Sequence, residues 1–181
     1  MRKLTGILLP LIGVLYPFLL YFGIETVPPH VFALALAAAW LLRAPWLLRE
    51  PGGHWMLIVA LAYCALLGVS GESSLLRWYP TLISLFLLLS FGLSLVYGPP
   101  VVERIARVRE PDLPDAALPY TRKVTWVWVG FFVFNASMSA ALTLWAPMRW
   151  WTLYNGLIAY FIMGVLFAGE WLLRKRLRVH G

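Results

Sequence analysis

Few side chains in this 181-residue chain have the chemistry to act on a proton or a ligand, and those few sit among apolar neighbours. Glu170 is embedded in the run Met163-Gly164-Val165-Leu166-Phe167-Ala168-Gly169-Glu170-Trp171. An ionisable group inside an apolar span marks a functional site by default, because its charge is costly there without a partner. Arg174 follows one helical turn later, in the order that favours an ion pair, so a paired structural carboxylate competes with a proton-linked or ligand-linked role. Asn135, with Ser137 and Ser139, and Tyr154 with Asn155 are the other polar intrusions. An amide in lipid usually finds a hydrogen bond to another helix, worth roughly 0.6–2 kcal/mol, so packing is their plainer role, and close helix contact is the plainer role of Gly156, Gly164 and Gly169. If a small polar cavity exists, Asn135, Asn155 and Glu170 line it and form the candidate intramembrane polar site.

No other constellation supplies chemistry. The lone Cys64 offers neither a disulfide framework nor a cysteine-based zinc site. His30, His54 and His180 are scattered without metal-ligand spacing, so no metal site is expected. A phosphate-cradling Gly-rich loop, a Gly-x-Ser-x-Gly elbow and paired intramembrane aspartates are all missing from the sequence. The expectation is a non-enzymatic protein with no catalytic residue and no cofactor.

The elements that must position these residues are apolar helices. With 61% hydrophobic residues, 13% charged residues and a mean hydropathy of +0.78, the composition excludes a cytosolic globular enzyme. Apolar runs at 6–24, 29–43, 54–70, 77–97, 124–146 and 151–173 predict an all-α, polytopic transmembrane helix bundle of about six spans, forming one domain over 1–181. The run 29–43 is the shortest and has a re-entrant segment as its alternative. With six crossings, all of the 15 basic residues except Arg77 and Arg149 fall on one side, so both termini are expected in the cytoplasm. Omitting the second crossing would put Arg2 and Lys3 outside. The first run is read as a span and not a cleaved signal, for want of a small-x-small cleavage site. The net charge of +7 is explained by orientation and anionic lipid, so no nucleic-acid partner is expected.

Trp40, Trp46, Trp55, Trp78, Tyr79, Trp126, Trp128, Trp145, Trp150, Trp151 and Trp171 lie near span ends and are expected mainly as interfacial anchors. Pro17 predicts a kink in the first span, and the pair Tyr16-Pro17, repeated as Tyr79-Pro80, is read as a chance recurrence.

The longest polar connection, 98–123, is expected to be a cytoplasmic amphipathic loop. After Gly98-Pro99-Pro100, Val101, Ile105 and Val108 recur at helical spacing, which predicts a short interfacial helix burying them and presenting Glu103, Arg104, Arg107 and Glu110 elsewhere. Pro111, Pro114 and Pro119 predict an extended strap up to Tyr120-Thr121-Arg122-Lys123. Basic residues there hold orientation, but Glu103, Glu110, Asp112 and Asp115 are not needed for that and suggest ion pairs that fix the loop's shape. Glu103, Arg104, Arg107, Asp112, Tyr120, Arg122 and Lys123 are therefore the candidate cytoplasmic platform for anionic lipid headgroups, an acyl-carrier surface or a partner protein.

The leading Leu9-Pro10-Leu11 span, the loop PPVVERIARVREPDLP, the span TWVWVGFFVFNASMSAALTLWAP and the closing YNGLIAYFIMGVLFAGEWLLRKR together resemble the bacterial septation protein A family of inner-membrane proteins. A nearer resemblance is to bacterial membrane proteins encoded beside fatty-acid-like or aryl polyene biosynthesis genes. It rests on Glu103-Arg104 through Pro114, Tyr120 through Trp128 and Asn155 through Glu170, with Val108 and Val129 as mild departures. The resemblance implies a multi-pass protein of the bacterial inner membrane with a cell-envelope role, and transfers no catalytic residue.

The preferred expectation is a protein that supports envelope biogenesis by binding partner proteins or membrane lipids through 98–123. The alternative is a membrane carrier or accessory protein handling an acyl or polyene lipid product at Asn135, Asn155 and Glu170. Envelope-biogenesis or biosynthetic proteins are the expected partners, and a homodimer is neither required nor excluded.

Overall fold

The computed structural model describes residues 15–23, 27–49 and 53–179. Among them every regular element is helical, without a strand. The start of the first expected span, with Arg2, Lys3 and Leu9-Pro10-Leu11, lies outside the described residues, as do His180 and the side chain of Trp46. By contacts the chain falls into two compact units, Met1–Tyr79 and Pro80–Gly181.

In the first unit, residues 15–23 (α1), Pro29–Leu47 (α2), Gly53–Ser70 (α3) and Ser73–Leu76 (α4) are helical. Pro29 opens α2 at the one place where a missing N–H costs nothing. α2 and α3 form an antiparallel hairpin that buries Ala33, Leu36 and Trp40 of one helix and Cys64 and Leu67 of the other. Gly68 of α3 faces Ala33 of α2, where an added Cβ would stand 3.7 Å from that of Ala33, an ordinary packing distance. Gly53 is more constrained: any Cβ would fall 1.8 Å from the Leu47 carbonyl oxygen, so only glycine fits where α2 hands over to α3. Gly71, at φ +64°, ends α3 in the left-handed conformation that glycine adopts freely, and its N–H bonds the Leu67 carbonyl at 3.2 Å.

The short α4 is held by tyrosines. The Tyr16 hydroxyl donates to the Leu76 carbonyl at 2.8 Å, and the Tyr63 hydroxyl donates to the Leu75 carbonyl, which also accepts the Trp78 N–H at 2.9 Å. The Tyr79 ring lies 4.9 Å from that of Tyr16 and 6.3 Å from that of Tyr63. The two Tyr-Pro pairs of the sequence thus contribute tyrosines to one cluster, and Pro17 is fully buried within helical backbone. Burial lowers the pKa of the neighbouring Arg77 guanidinium from its ordinary value.

The second unit takes in most of α5 (Tyr79–Tyr97), then α6 (Val101–Arg109), a 3-10 turn at Asp115–Ala117, α7 (Leu118–Trp145) and α8 (Met148–Leu153). A π turn at Tyr154–Ile158 continues α8 directly into α9 (Ala159–Val179). Its core is aromatic: Trp128, Phe131 and Phe132 of α7 with Val102 of α6, surrounded by Leu87, Leu88 and Phe91 of α5 and Ile162, Met163 and Leu166 of α9. Trp128 and Phe131 meet edge to face at 5.8 Å, and Phe91 and Phe132 at 5.1 Å, the offset arrangement that ring quadrupoles favour.

Gly53–Ser70, Tyr79–Tyr97, Leu118–Trp145 and Met148–Arg174 are long and apolar enough to cross a bilayer, and together they make this a membrane-embedded protein. They correspond to the third to sixth expected spans. The second, Pro29–Pro45, is a shorter apolar helix whose 17 residues reach about 26 Å, against a core of about 30 Å.

Three expectations are corrected. The strap ends sooner than the prolines suggest: α7 begins at Leu118, because Pro119 occupies the first turn of a helix, where its ring is tolerated and its missing N–H has no intrahelical partner to lose. Tyr120, Thr121, Arg122 and Lys123 are therefore helical. Trp40, Trp128 and Trp151 are buried packing residues, with Trp151 fully enclosed, whereas Trp55, Trp126, Trp145 and Trp171 project outward as anchors would. Gly164 and Gly169 make no close helix contact among the described residues, since a Cβ at either meets nothing within 4 Å, while Gly156 is buried.

Candidate functional site

Asn135 and Asn155 belong to two hydrogen-bonded chains that lie side by side in a buried polar network joining α5, α7 and the α8–α9 segment. The Tyr154 hydroxyl donates to Asn135 Oδ1 at 2.9 Å, Asn135 Nδ2 donates to Ser84 Oγ at 2.8 Å, and Ser84 passes its own proton to the Pro80 carbonyl at 2.9 Å. Beside it, Ser139 Oγ donates to Asn155 Oδ1 at 2.8 Å and Asn155 Nδ2 to the Trp151 carbonyl at 3.0 Å. Trp151 Nε1 donates to Thr143 Oγ1 at 3.0 Å, and Thr143 to the Ser139 carbonyl at 2.9 Å. The π turn widens the helix where Tyr154 and Asn155 leave it, so adjacent residues both reach α7. Every member is satisfied by another neutral group, which suits the network to clamping helices.

Glu170 is not part of that network. It lies 15 residues beyond Asn155, about 22 Å along a continuous helix, and it pairs with Arg174. The Tyr120 hydroxyl donates to the Glu170 carbonyl at 3.3 Å, tying the start of α7 to the far part of α9. The three-residue polar cavity anticipated from sequence is thus divided between two levels of the α7–α9 hairpin. At the opposite turn of that hairpin an open apolar groove of about 400 Å³ is lined by Met138, Leu142, Trp145, Ala146, Pro147, Trp150, Leu153, Tyr154 and Ile158.

The 98–123 segment is moored at several points. Ser94 Oγ donates to the Phe91 carbonyl at 2.7 Å and accepts the Val101 N–H at 3.1 Å, which fixes the turn from α5 into α6. Arg122 Nη2 reaches the Leu95 carbonyl at 3.1 Å, a cation on the electronegative end of α5. Val102 and Glu103 are buried, and Glu103 Oε1 accepts from Arg107 Nε at 2.9 Å. Ile105 and Val108 are 58% and 85% exposed, so the helix buries the face next to the one expected from the Val101, Ile105, Val108 spacing. The reason is tertiary: the Ser94 bond to the Val101 N–H sets the rotation of α6, and Val102 enters the aromatic cluster of α7. Arg104, Asp112, Arg122 and Lys123 are exposed and Tyr120 is half-buried.

No family model, curated protein or solved structure matches the chain.

Sequence reading misses Ser84, Thr143 and the indole of Trp151 as members of the network. A serine in an apolar span is a weak signal, because Ser84, Ser90 and Ser94 all lie in α5 and only packing selects Ser84 for Asn135. Arg122 as the cap of α5 is equally invisible in sequence, since its acceptor lies 27 residues away.

Proposed function

We propose that this is a non-enzymatic inner-membrane protein of bacteria that supports cell-envelope biogenesis, in the manner of septation protein A-like proteins, by binding a partner or lipid through the 98–123 platform. The carrying observation is the mooring of α6: a helix fixed by Ser94, Val102 and the Glu103–Arg107 pair that still turns Arg104, Ile105 and Val108 outward. A segment that served orientation alone would need its basic charge but not this shape. Six crossings with both termini in the cytoplasm complete the reading, supported by the bias of basic residues toward one side. The carrier alternative is less favoured, because Asn135 and Asn155 use their amides on neighbouring helices and Glu170 stands apart with Arg174.

The test is complementation. In a cell lacking the gene, the wild-type chain restores envelope integrity, measured by exclusion of a membrane-impermeant dye, and the Arg104→Glu/Lys123→Glu variant at equal membrane abundance does not. Full restoration by the variant overturns the platform. Arg107 and Arg122 are poorer probes, since their loss also removes the Glu103 pair and the α5 cap.

A further inference from the structure

The exposed face of α6 has a definable occupant. α7 contains 28 residues, about 42 Å of helix, whereas the hydrocarbon core is about 30 Å thick. Arg122 and Lys123 decide which end overhangs, because these charges cannot stay in the core, so roughly the first two turns of α7 stand in the headgroup layer. α6 packs against α7, where Val102 shares a cluster with Val124 and Trp128, and Arg122 of those turns bonds the Leu95 carbonyl near the end of α5, the helix that leads into α6. It is also only Gly98-Pro99-Pro100 away from the end of α5, a membrane-capable helix. α6 therefore runs at headgroup depth, beside the bundle and not beyond it.

At that depth its composition matches one ligand. Val102 and Ala106 turn toward the bundle, while Ile105 and Val108 turn away with Arg104 on the same outer side. Glu103, the acid within the helix, is buried and paired with Arg107, which leaves the outer face apolar and cationic. We propose that α6 is an anionic phospholipid site, with Ile105 and Val108 in the acyl boundary and the Arg104 guanidinium on the lipid phosphate, assisted by Lys123 at the start of α7. The proposal rests on the platform reading and names its ligand class. A protein partner would have to reach the same face within the headgroup layer.

The experiment uses the full chain with Cys64→Ala and Val108→Cys, carrying an environment-sensitive fluorophore at 108, in phosphatidylcholine vesicles with about one third phosphatidylglycerol. The expected result is blue-shifted emission, stronger quenching by brominated phosphatidylglycerol than by brominated phosphatidylcholine, and about fivefold loss of that preference in Arg104→Gln, the equivalent of about 1 kcal/mol per basic residue. Water-like emission quenched by iodide overturns the proposal, as does equal quenching by both lipids. The two readings fail separately. A lipid-embedded, phosphatidylglycerol-selective probe with normal complementation by Arg104→Glu/Lys123→Glu keeps the lipid site and removes the envelope role. A water-exposed probe with failed complementation removes the lipid site and redirects the platform to a protein partner.

Discussion

Asn135 joins two other helical segments at once, since it accepts from Tyr154 and donates to Ser84. Replacing it with Leu leaves both partners without their bond in an apolar setting, and each bond of this kind is worth roughly 0.6–2 kcal/mol. A double-mutant cycle of Asn135→Ala with Ser84→Ala, read from unfolding in bicelles, should give a coupling of about 0.6–1.7 kcal/mol. A coupling indistinguishable from zero would remove the clamp role. Glu170→Gln should behave differently. Its carboxylate is partly exposed and paired with Arg174 of its own helix, so the change should stay within about 0.5 kcal/mol. Combined with Asn135→Leu it should add to within about 0.5 kcal/mol, because the two sites are remote and share no partner. Non-additivity in that pair would mean that the two levels of the hairpin communicate.

Among the elements, the hairpin of α2 and α3 has the least room for change. Gly53→Ala forces a methyl into the Leu47 carbonyl, and we expect a loss of about 3 kcal/mol or failure to accumulate in the membrane. Gly164→Ala in α9 meets open space, so it should be neutral or stabilise by up to about 1 kcal/mol through helix propensity. Thermal unfolding of the two variants side by side checks the contrast; similar losses would mean that Gly164 is covered by something beyond the described residues. The same measurement bears on a homodimer, since a penalty at Gly164 that appears only at high protein density would locate a self-contact there.

For the whole molecule, orientation follows from helices long enough to carry charge from one side to the other. Lys123 lies in the second turn of α7 and Arg149 just beyond its end, so these two positions must face opposite compartments if α7 crosses. In intact cells a membrane-impermeant maleimide should label Arg149→Cys and reach Lys123→Cys only after permeabilisation. The reverse result would invert the topology, and labelling of both would show that α7 does not cross. A fluorescent protein fused after Gly181 that folds only in the cytoplasm should be bright if the closing helix returns inward.

Composition by itself determines that this chain is helical and membrane-embedded, because in lipid every backbone amide must be satisfied within its own segment. The spacing of Glu170 and Arg174 likewise predicts their pairing, since an i, i+4 relation is fixed by the helix alone. What only the tertiary structure decides is which residues meet across helices. Ser84, Asn135 and Tyr154 are far apart in sequence, and their joining depends on how α5, α7 and the π turn are rotated against one another. The inward face of α6 is of the same kind. Val101, Ile105 and Val108 carry the helical period that signals burial, but a period cannot tell which face a neighbouring helix will cover, and the Ser94 bond to the Val101 N–H with Val102 in the α7 cluster leaves Ile105 and Val108 outward. Pro119 is of this kind too: its ring forbids a helix interior yet suits a first turn, and the folded chain places that first turn at Leu118.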